Sequence, residues 1–381
     1  MHRVAWKEVI ETVGFRKEII DLAMQPGSNV RELCRRFRVS PKTVYKWIRR
    51  YREHGEAGLE NRSRRPHTSP GRMRSGIERE VLRVQKKYPG WGARKIWKRL
   101  KDLGTTNVPV PSAIHRVLQR NGAIDRSESL KHQPLRRFEH EAPNQLWQID
   151  FKGWFRTNDG VPCHPLTVLD DHSRYVVCLQ ACRNQQGETV KSKLIETFRL
   201  YGLPERMTMD NGSPWGGDDS GYTPLTAWLI QLGIAVSHSR PYHPQTQGKD
   251  ERFHRTLGVE LLRWHQFRNL DQVQRRFEPY RHVYNHERPH ESLGMNVPAS
   301  RYRISRRSFP ETLPAIEYDT GDQVRIVQSR GQIHYRGERI PVGKAFRGYP
   351  IALRATAQDG ILDIYFCHQR IRQIDLREQK A

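Results

Sequence analysis

A loop that passes directly into a helix is the feature that most constrains this chain. Residues 239–248 carry two prolines and a glycine, which exclude regular structure there. Beyond them Phe253, Leu257 and Leu261 recur at every fourth position, which predicts a helix with one apolar face. Glu251 then lies in the first turn, beside that face, and is able to face a groove. A first-turn acid is also an ordinary partner for the helix dipole, so Glu251 needs support from elsewhere in the chain.

Two aspartates upstream stand where strands give way to loops. Asp150 ends an apolar run that starts at Trp147, and Asp210 ends a short strand-like run. A side chain at such a position is held rigidly and can still point into a site. Carboxylates from two strands and a helix would form a cage of hard oxygen ligands, which suits Mg²⁺ or Mn²⁺, whereas zinc would want Cys and His.

A second pair of acids competes for this role. Asp170 and Asp171 are adjacent and precede Ser173 and Arg174. Adjacent acids at a turn usually cap the turn and pair with arginine, so we rank them below Asp150 as metal ligands.

Five motifs follow one another in order across about half of the chain. They are Trp147 to Asp150, Leu169-Asp-Asp-His-Ser-Arg-Tyr, Asp210-Asn-Gly-Ser, His243-Pro-Gln-Thr-Gln-Gly-Lys-Asp-Glu-Arg-Phe-His-Arg-Thr-Leu, and Tyr284-Asn-His-Glu-Arg-Pro-His-Glu-Ser-Leu-Gly. Together they resemble the DDE integrase core of bacterial insertion-sequence transposases, closest to the group with the IS3 and IS481 families and related to retroviral integrases. The gap of 40 residues between Asp210 and Glu251 is longer than in many relatives. We place the extra length in the Gly- and Asp-rich segment 214–222.

The resemblance implies an α/β RNase H-like catalytic core with the triad Asp150, Asp210 and Glu251. It implies a DNA transposase, a polynucleotidyl transferase that uses two Mg²⁺ or Mn²⁺ ions to hydrolyse a phosphodiester and then transfer the strand. The expected partners are the terminal repeats of the element and target DNA, bound by a homo-oligomer on paired ends. Near the triad, the candidate DNA contacts are Asn211, Gln247, Lys249 and Arg255.

The charge of the chain agrees with a nucleic-acid partner. A formal net charge of +25, from 66 Lys and Arg against 41 Asp and Glu, is the electrostatic footprint of a protein that binds a polyanion. No apolar run approaches the length of a membrane span, and no secretion signal is recognisable. The five cysteines lack metal-binding spacing and are expected to be apolar fillers. We therefore expect a cytoplasmic, nucleoid-associated bacterial protein without membrane contact.

The N-terminal domain, residues 1–55, has helix-turn-helix spacing. Helices are predicted over 15–23, 30–37 and 41–51, the last with Ser40 as its N-cap and Pro41 in its first position. The core stripe of the third helix leaves other faces for DNA. The candidate contacts there are Lys42, Thr43, Tyr45, Lys46, Arg49 and Arg50. A generic three-helix bundle with a basic surface is the alternative.

A basic linker, residues 56–74, and a second helical domain, residues 75–122, follow. In the linker Arg62, Arg64 and Arg65 are candidates for entering a minor groove, although a solvated run of charge is nearly as good an interpretation. The second domain is similar to the second helix-turn-helix of these transposases, with Arg94 and Lys95 as candidate DNA contacts. An interdomain or oligomerisation bundle is the alternative.

The rest of the chain is divided into a connector over 123–143, the catalytic core over 144–300, a basic linker over 301–315 and a C-terminal domain over 316–381. Five short runs of alternating residues in the last domain predict a small all-β barrel. The barrel resembles the SH3-like domain of integrases, which contacts DNA or a neighbouring subunit.

Two functions follow from this multidomain reading. The first is an active transposase, in which loss of any triad carboxylate stops cleavage while DNA binding is kept. The second is a catalytically silent, sequence-specific DNA-binding protein or repressor derived from a transposase. The intact set of Asp150, Asp210 and Glu251 favours the first.

Overall fold

The computed structural model describes residues 12–61, 73–124, 139–218, 220–238 and 248–377. The described residues belong to two compact units, which divide between residues 72 and 73.

The first unit is a bundle of three helices, α1 (Val13–Ala23), α2 (Val30–Arg36) and α3 (Pro41–His54). As predicted, Ser40 caps α3, because its hydroxyl accepts a hydrogen bond from the Thr43 amide at 3.3 Å. The residues of α3 that face the core are Val44, Trp47 and Ile48.

A short 3₁₀ turn, Gly55–Leu59, packs back onto this bundle. Leu59 is 1% exposed and belongs to the core, although it lies beyond the boundary placed from the sequence. The buried Arg16 side chain donates hydrogen bonds to the carbonyl of Leu59 at 2.5 Å and to Oδ1 of Asn61 at 2.7 Å. The helical bundle therefore continues to Leu59.

The second unit begins with three more helices, α4 (Ser75–Lys87), α5 (Ala93–Asp102) and α6 (Pro111–Arg120). Their apolar faces close on a small core of their own, which includes Val81, Ile96, Leu100 and Ile114. In the sequence these residues recur with helical spacing, which is why the three helices were predictable.

These helices also contact the core domain, residues 144–300. Glu287 accepts hydrogen bonds from the Tyr88 hydroxyl at 2.6 Å and from the Arg99 guanidinium at 2.5 Å. The Trp91 indole donates to Glu260 at 3.3 Å. These hydrogen bonds form an interface between the helices α4–α6 and the core domain. The interdomain role, which the sequence left open as an alternative, is therefore one role of residues 75–122.

The core contains the strands β1 (Leu146–Phe151), β2 (Phe155–Arg156), β3 (Pro162–Asp170), β4 (Val176–Cys182), β5 (Arg206–Met209) and β6 (Ala235–His238). Strand β3 pairs antiparallel with β1, β2 and β4, and β1 pairs parallel with β5, which pairs parallel with β6. The opening strands β1 to β4 are therefore antiparallel. The apolar run that starts at Trp147 predicts one strand as far as Phe155, but the strand is interrupted after Phe151, because Gly153 turns the chain with φ +61°.

Four helices cover this sheet: α7 (Gly187–Tyr201), α8 (Pro224–Gln231), α9 (Gly248–Glu260) and α10 (Leu270–His286). The apolar stripe predicted for α9 is confirmed, since Phe253, Leu257 and Leu261 are all buried. They pack with residues of β3, β4 and α10. This packing fixes which face of α9 meets the sheet.

The C-terminal residues form the strands β7 (Gln323–Ile326), β8 (Gln332–Tyr335), β9 (Glu338–Pro341), β10 (Pro350–Ala355), β11 (Ile361–Phe366) and β12 (Gln369–Asp375). The sequence predicted five strands and missed β8, which pairs with β9 in a two-stranded sheet. The other four strands form a sheet in the order β12, β11, β10, β7. The domain is all-β as predicted, in two sheets.

This domain lies against the catalytic core at the edge strand β6. Gln369 accepts from the Val236 amide at 2.7 Å and donates to the Val236 carbonyl at 2.9 Å. Segment 214–222 also takes part, since Asp218 accepts from the Lys344 amide at 3.0 Å and the ring of Tyr222 lies 5.2 Å from that of Phe346.

Among the described residues, no helix is both long and apolar enough to cross a membrane. The four cysteines at 34, 163, 178 and 182 are buried and unpaired, which agrees with their predicted role as apolar fillers.

Candidate active site

Strand β1 and helix α9 run alongside each other and bring their polar residues together. The Gln148 side chain accepts from the Asp250 amide at 3.3 Å, and two residues further along β1 an oxygen of Asp150 lies 3.9 Å from Nδ1 of His254. Two residues of a strand advance about 6.6 Å and four residues of a helix about 6 Å. Every second residue of β1 therefore stays opposite every fourth residue of α9. This match places Asp150 beside the first two turns of α9.

Asp150 is partly buried, and its environment shifts its pKa. Burial raises its pKa to about 6, against the lowering effect of a hydrogen bond from the Phe151 amide at 2.8 Å. The carboxylates of Asp210 and Glu251 raise the pKa of Asp150 further. Asp210 and Glu251 therefore lie close enough to Asp150 for their charges to act on it.

Asp210 is held by the loop that follows β5. Its Oδ1 accepts from the Gly212 amide at 2.9 Å, and its backbone carbonyl accepts from Nδ1 of His238 at 2.9 Å. A Cβ added at Gly212 would lie 3.3 Å from Oδ2 of Asp210, so a larger residue would crowd the carboxylate. Glu251 lies in the first turn of α9, as predicted, and is exposed.

A buried group that the sequence did not single out lies under Asp150. Asp250 is completely buried, and the Thr167 hydroxyl lies 3.1 and 3.2 Å from its two oxygens. The same hydroxyl is 2.8 Å from Nε2 of His254 and 3.0 Å from the Asp150 carbonyl. Asp150, Asp250 and His254 each offer a ligand atom, and these atoms lie within 4.8 Å of one another.

The shifted pKa values of Asp250 and His254 favour the neutral form of both groups. Burial raises the pKa of Asp250 well above its usual range, and the charge of Asp150 raises it further. Burial lowers the pKa of His254 to about 3. The site therefore avoids a second full negative charge directly beneath Asp150. The four-residue spacing of Asp250 and His254, which places them on one helix face, was the available sequence signal.

The competing pair Asp170 and Asp171 serves the turn after β3. Asp170 accepts from the amide of Ser173 at 2.8 Å and caps the turn, as predicted. The pairing with arginine takes a different form from the one expected. The Asp171 carboxylate pairs with Lys249 at 2.5 Å, while the Arg174 guanidinium pairs with Glu139 at 3.0 Å and donates to the backbone carbonyl of Asp171.

The candidate DNA contacts that the structure describes are exposed, half-buried or paired with an acid of the protein. Lys42, Tyr45, Lys46, Arg49, Arg94, Asn211 and Arg255 are exposed, Thr43 and Arg50 are half-buried, and Arg62, Arg64, Arg65 and Gln247 lie outside the described residues. Lys249 pairs with Asp171, and Lys95 lies 3.8 Å from Glu260. Burial lowers the pKa of Lys95 to about 8. Lys95 and Lys249 are thus engaged within the protein.

Several family models match successive parts of the chain. A helix-turn-helix domain matches residues 15–67 and a homeodomain-like domain residues 43–118. Two integrase core domain models match residues 140–244 and 232–298. The C-terminal domain of the IS481 family transposases matches residues 322–381.

Curated relatives include proteins of bacterial insertion elements. The chain is 24% identical to an uncharacterised 31.7 kDa protein of insertion element IS407 from Burkholderia multivorans, over 65% of this chain and 81% of that protein. It is 28% identical to an uncharacterised 39.2 kDa protein of insertion element IS476 from Xanthomonas euvesicatoria, over 44% of this chain and 46% of that protein. A Gag-Pol polyprotein of avian reticuloendotheliosis virus is 26% identical over 30% of this chain and 10% of the polyprotein.

Solved structures with a weak overall likeness come from retroviruses. One is the intasome of simian T-cell lymphotropic virus in complex with the PP2A regulatory subunit B56 gamma, at 14% identity and a TM-score of 0.37, covering 76% of this chain and 96% of that chain. Another is the HTLV-2 integrase catalytic core domain in complex with magnesium, at 15% identity and a TM-score of 0.33, covering 43% of this chain and 99% of that chain.

Proposed function

We propose that this chain, a DNA transposase with an integrase core, cuts the ends of its element and joins them to target DNA through Asp150, Asp210 and Glu251. The observation that carries this proposal is the match of two integrase core models to residues 140–244 and 232–298, which contain all three acids. The pKa of Asp150, raised by burial and by the two other carboxylates, agrees with it. Such a concentration of negative charge in a partly buried site is typical of a place where a cation or a reacting phosphate binds.

The donor set fits magnesium or manganese. The three carboxylates offer hard oxygen ligands, and none of the cysteines lies in the cluster around Asp150. Two bound ions would activate an attacking hydroxyl and neutralise charge on the phosphate and on the leaving oxygen. Asp150, Asp210 and Glu251 would hold them.

The chain's own groups orient these ligands. The Phe151 and Gly212 amides fix one oxygen each of Asp150 and Asp210, which leaves the other oxygen of each carboxylate for a ligand. Neutral His254 and the Thr167 hydroxyl support the site from below without adding charge. Preorganised ligands of this kind contribute to catalysis because they need no rearrangement as charge develops on the phosphate.

The remaining parts would bring DNA to the site. We propose that α3 enters a major groove with its exposed Lys42, Tyr45, Lys46 and Arg49, while basic segments contact phosphates. An RNase H-like core, an SH3-like C-terminal barrel, a homo-oligomer on paired ends and action on nucleoid DNA in the bacterial cytoplasm complete the proposal.

The test is cleavage and joining of a labelled duplex that carries the end of the element, taken from the DNA that flanks the coding sequence. We expect nicking at the element's end and joined products with Mg²⁺ or Mn²⁺, and neither product with EDTA. Cleavage that persists in EDTA would overturn the metal assignment. Tight, specific binding without cleavage under either metal would instead support the alternative, a silent DNA-binding protein.

A further inference from the structure

Lys152, the first residue after β1, lines a cleft of about 460 Å³. None of the three triad residues lines this cleft. Its floor is aromatic: the rings of Phe155 and Phe267 lie 5.7 Å apart, and His265 stacks on Phe267 at 5.9 Å. The floor is also tied down, since the Asn158 amide donates to the Phe267 carbonyl at 2.8 Å. It is therefore a formed surface, built by the β2–β3 hairpin and the segment between α9 and α10.

The rim of the cleft is basic and carries an exposed tryptophan. Trp154 is 60% exposed, and the guanidinium carbon of Arg156 lies 6.0 Å from the centre of its ring. Lys152 lines the same cleft, and none of the described residues that line it is acidic. A large aromatic surface left in water beside two cations has the composition of a nucleic-acid platform.

Lys152 connects this cleft to the active site. It is the first residue after β1 and follows Asp150 by two positions, and its amide donates to the Pro165 carbonyl at 3.0 Å, which continues the pairing with β3. A Cβ added at Gly258 would lie 3.8 Å from Nζ of Lys152. Gly258 is seven residues after Glu251, about 10 Å along the axis of α9. Successive phosphates of one strand advance about 3.4 Å along a duplex and further in an unpaired strand, so the cleft begins within about three nucleotides of the triad.

We propose that this cleft binds an unpaired stretch of the DNA strand that passes through the active site, with one base stacked on Trp154 and phosphates at Lys152 and Arg156. The inference rests on the proposed function for the course of the strand. An unpaired strand is the occupant that fits, because a duplex keeps its bases stacked inside and offers Trp154 only its edge. Stacking on an aromatic side chain accepts any base, so the cleft would hold the strand without reading its sequence.

The experiment uses the full-length chain in EDTA, so that binding is measured without cutting. The probe is an element-end duplex with a four-nucleotide single-stranded extension that carries 2-aminopurine at its third nucleotide, compared with the same duplex made blunt. We expect binding to quench the 2-aminopurine. Trp154→Ala should remove that quenching and weaken binding of the extended duplex about tenfold, with the blunt duplex unchanged.

Trp264→Ala is the matched control. Trp264 is 52% exposed and has Arg263 at 5.6 Å from its ring, but it does not line the cleft. A second variant, Arg156→Gln, should weaken the extended duplex and lower the salt dependence of its binding by about one counterion. Both Trp154 and Arg156 are exposed, so their replacement leaves the core intact.

Unchanged quenching in Trp154→Ala would overturn the proposal, as would an equal loss of affinity for blunt and extended duplexes. Altered self-association of Trp154→Ala in sedimentation, with DNA binding unchanged, would assign this face to a protein partner. Cleavage in Mg²⁺ is measured separately. If the base stacks on Trp154 but the protein never cuts DNA, the proposed catalysis is refuted and the proposed binding of an unpaired strand in the cleft stands.

Discussion

At the level of single residues, the site depends on a buried acid that does not repel its neighbour. Asp250 lies beside Asp150 with no exposure to water, and its pKa is raised by burial first and by Asp150 second. A neutral Asp250 can stay close to an ionised Asp150, and its contact with the Thr167 hydroxyl keeps it satisfied. We therefore assign Asp250 a supporting role and Glu251 the role of ligand.

This assignment predicts that Asp250→Asn remains active. An amide resembles a neutral carboxylic acid and keeps an oxygen for Thr167, so the loss is about that of one hydrogen bond, less than about tenfold in cleavage rate. The rate of end cleavage in Mg²⁺ is the measurement. Asp271→Asn is the control, since Asp271 is an exposed first-turn acid of α10. If Asp250→Asn folded but gave no cleavage, Asp150, Asp250 and His254 would be the metal ligands.

The sequence singled out Asp150, Asp210 and Glu251 as candidate ligands, because ordered motifs flank each of them. It was not sufficient for Asp250. Its burial depends on the alignment of α9 with β1, where Gln148 meets the Asp250 amide, and no local pattern records such an alignment between distant segments.

At the level of elements, the helices α4–α6 are attached to the catalytic core through Glu287. This acid follows α10 and accepts hydrogen bonds from Tyr88, the residue after α4, and from Arg99 of α5. The Lys87 ammonium lies 3.8 Å from its carboxylate. The Glu287 side chain is one-fifth exposed, so these bonds are only partly screened by water. They make Glu287 the main polar contact across this interface.

Glu287→Gln should loosen the attachment. The amide keeps one acceptor but loses the charge, which we expect to cost about 1 kcal/mol, less than a buried bond to a charged group because the site is partly exposed. Hydrogen exchange should speed up across residues 73–124 and stay unchanged in β1 and β3. Glu80→Gln, which removes only the exposed pair with Arg83, is the control. Equal exchange in the two variants would contradict the assignment.

The same acid predicts a pH dependence. Burial alone would raise the pKa of Glu287, but the Tyr88 hydrogen bond and the charges of Arg99 and Lys87 hold it below its usual value. Because the folded pKa is lowered, the stabilisation is complete above the unfolded value of about 4.3 and is lost as the pH falls through the folded value. The stability difference between wild type and Glu287→Gln, from denaturant unfolding, should shrink below about pH 4.3. A difference that stays constant across that range would exclude this linkage.

The pattern of residues predicted most helices and strands, because each carries a periodic apolar face. It missed β8, whose four residues are too few to show a period, and it joined β1 to β2 across Gly153. How α4–α6 meet the core also escaped prediction, since that contact joins Tyr88 and Glu287, which are 199 residues apart in the chain.

At the level of the whole molecule, charge is the property that suits the chain to DNA. A net charge of +25 attracts phosphates irrespective of sequence, and each phosphate neutralised by a cation releases a counterion. The charge was readable from composition alone. The docking of the C-terminal sheets on β6 through Gln369 was not, since it depends on which segments meet in three dimensions.

Lys46→Gln should lower the salt dependence of DNA binding. If Lys46, exposed on α3, contacts a phosphate, the slope of log K against log salt falls by about 0.9. Fluorescence anisotropy of an element-end duplex at several salt concentrations measures it. Lys193→Gln, a change in a lysine that pairs with Glu196 at 3.0 Å on α7, is the control. Identical slopes for the two variants would show that Lys46 makes no phosphate contact.

The most direct test of the account is strand joining by Glu251→Gln in Mg²⁺, beside wild type and Glu188→Gln. Glu188 is an exposed first-turn acid of α7, so it matches Glu251 in position on its helix. We predict that wild type and Glu188→Gln join the element's end to target DNA, and that Glu251→Gln binds the same DNA with unchanged affinity but gives no joined product. Joining by Glu251→Gln at the wild-type rate would contradict the account.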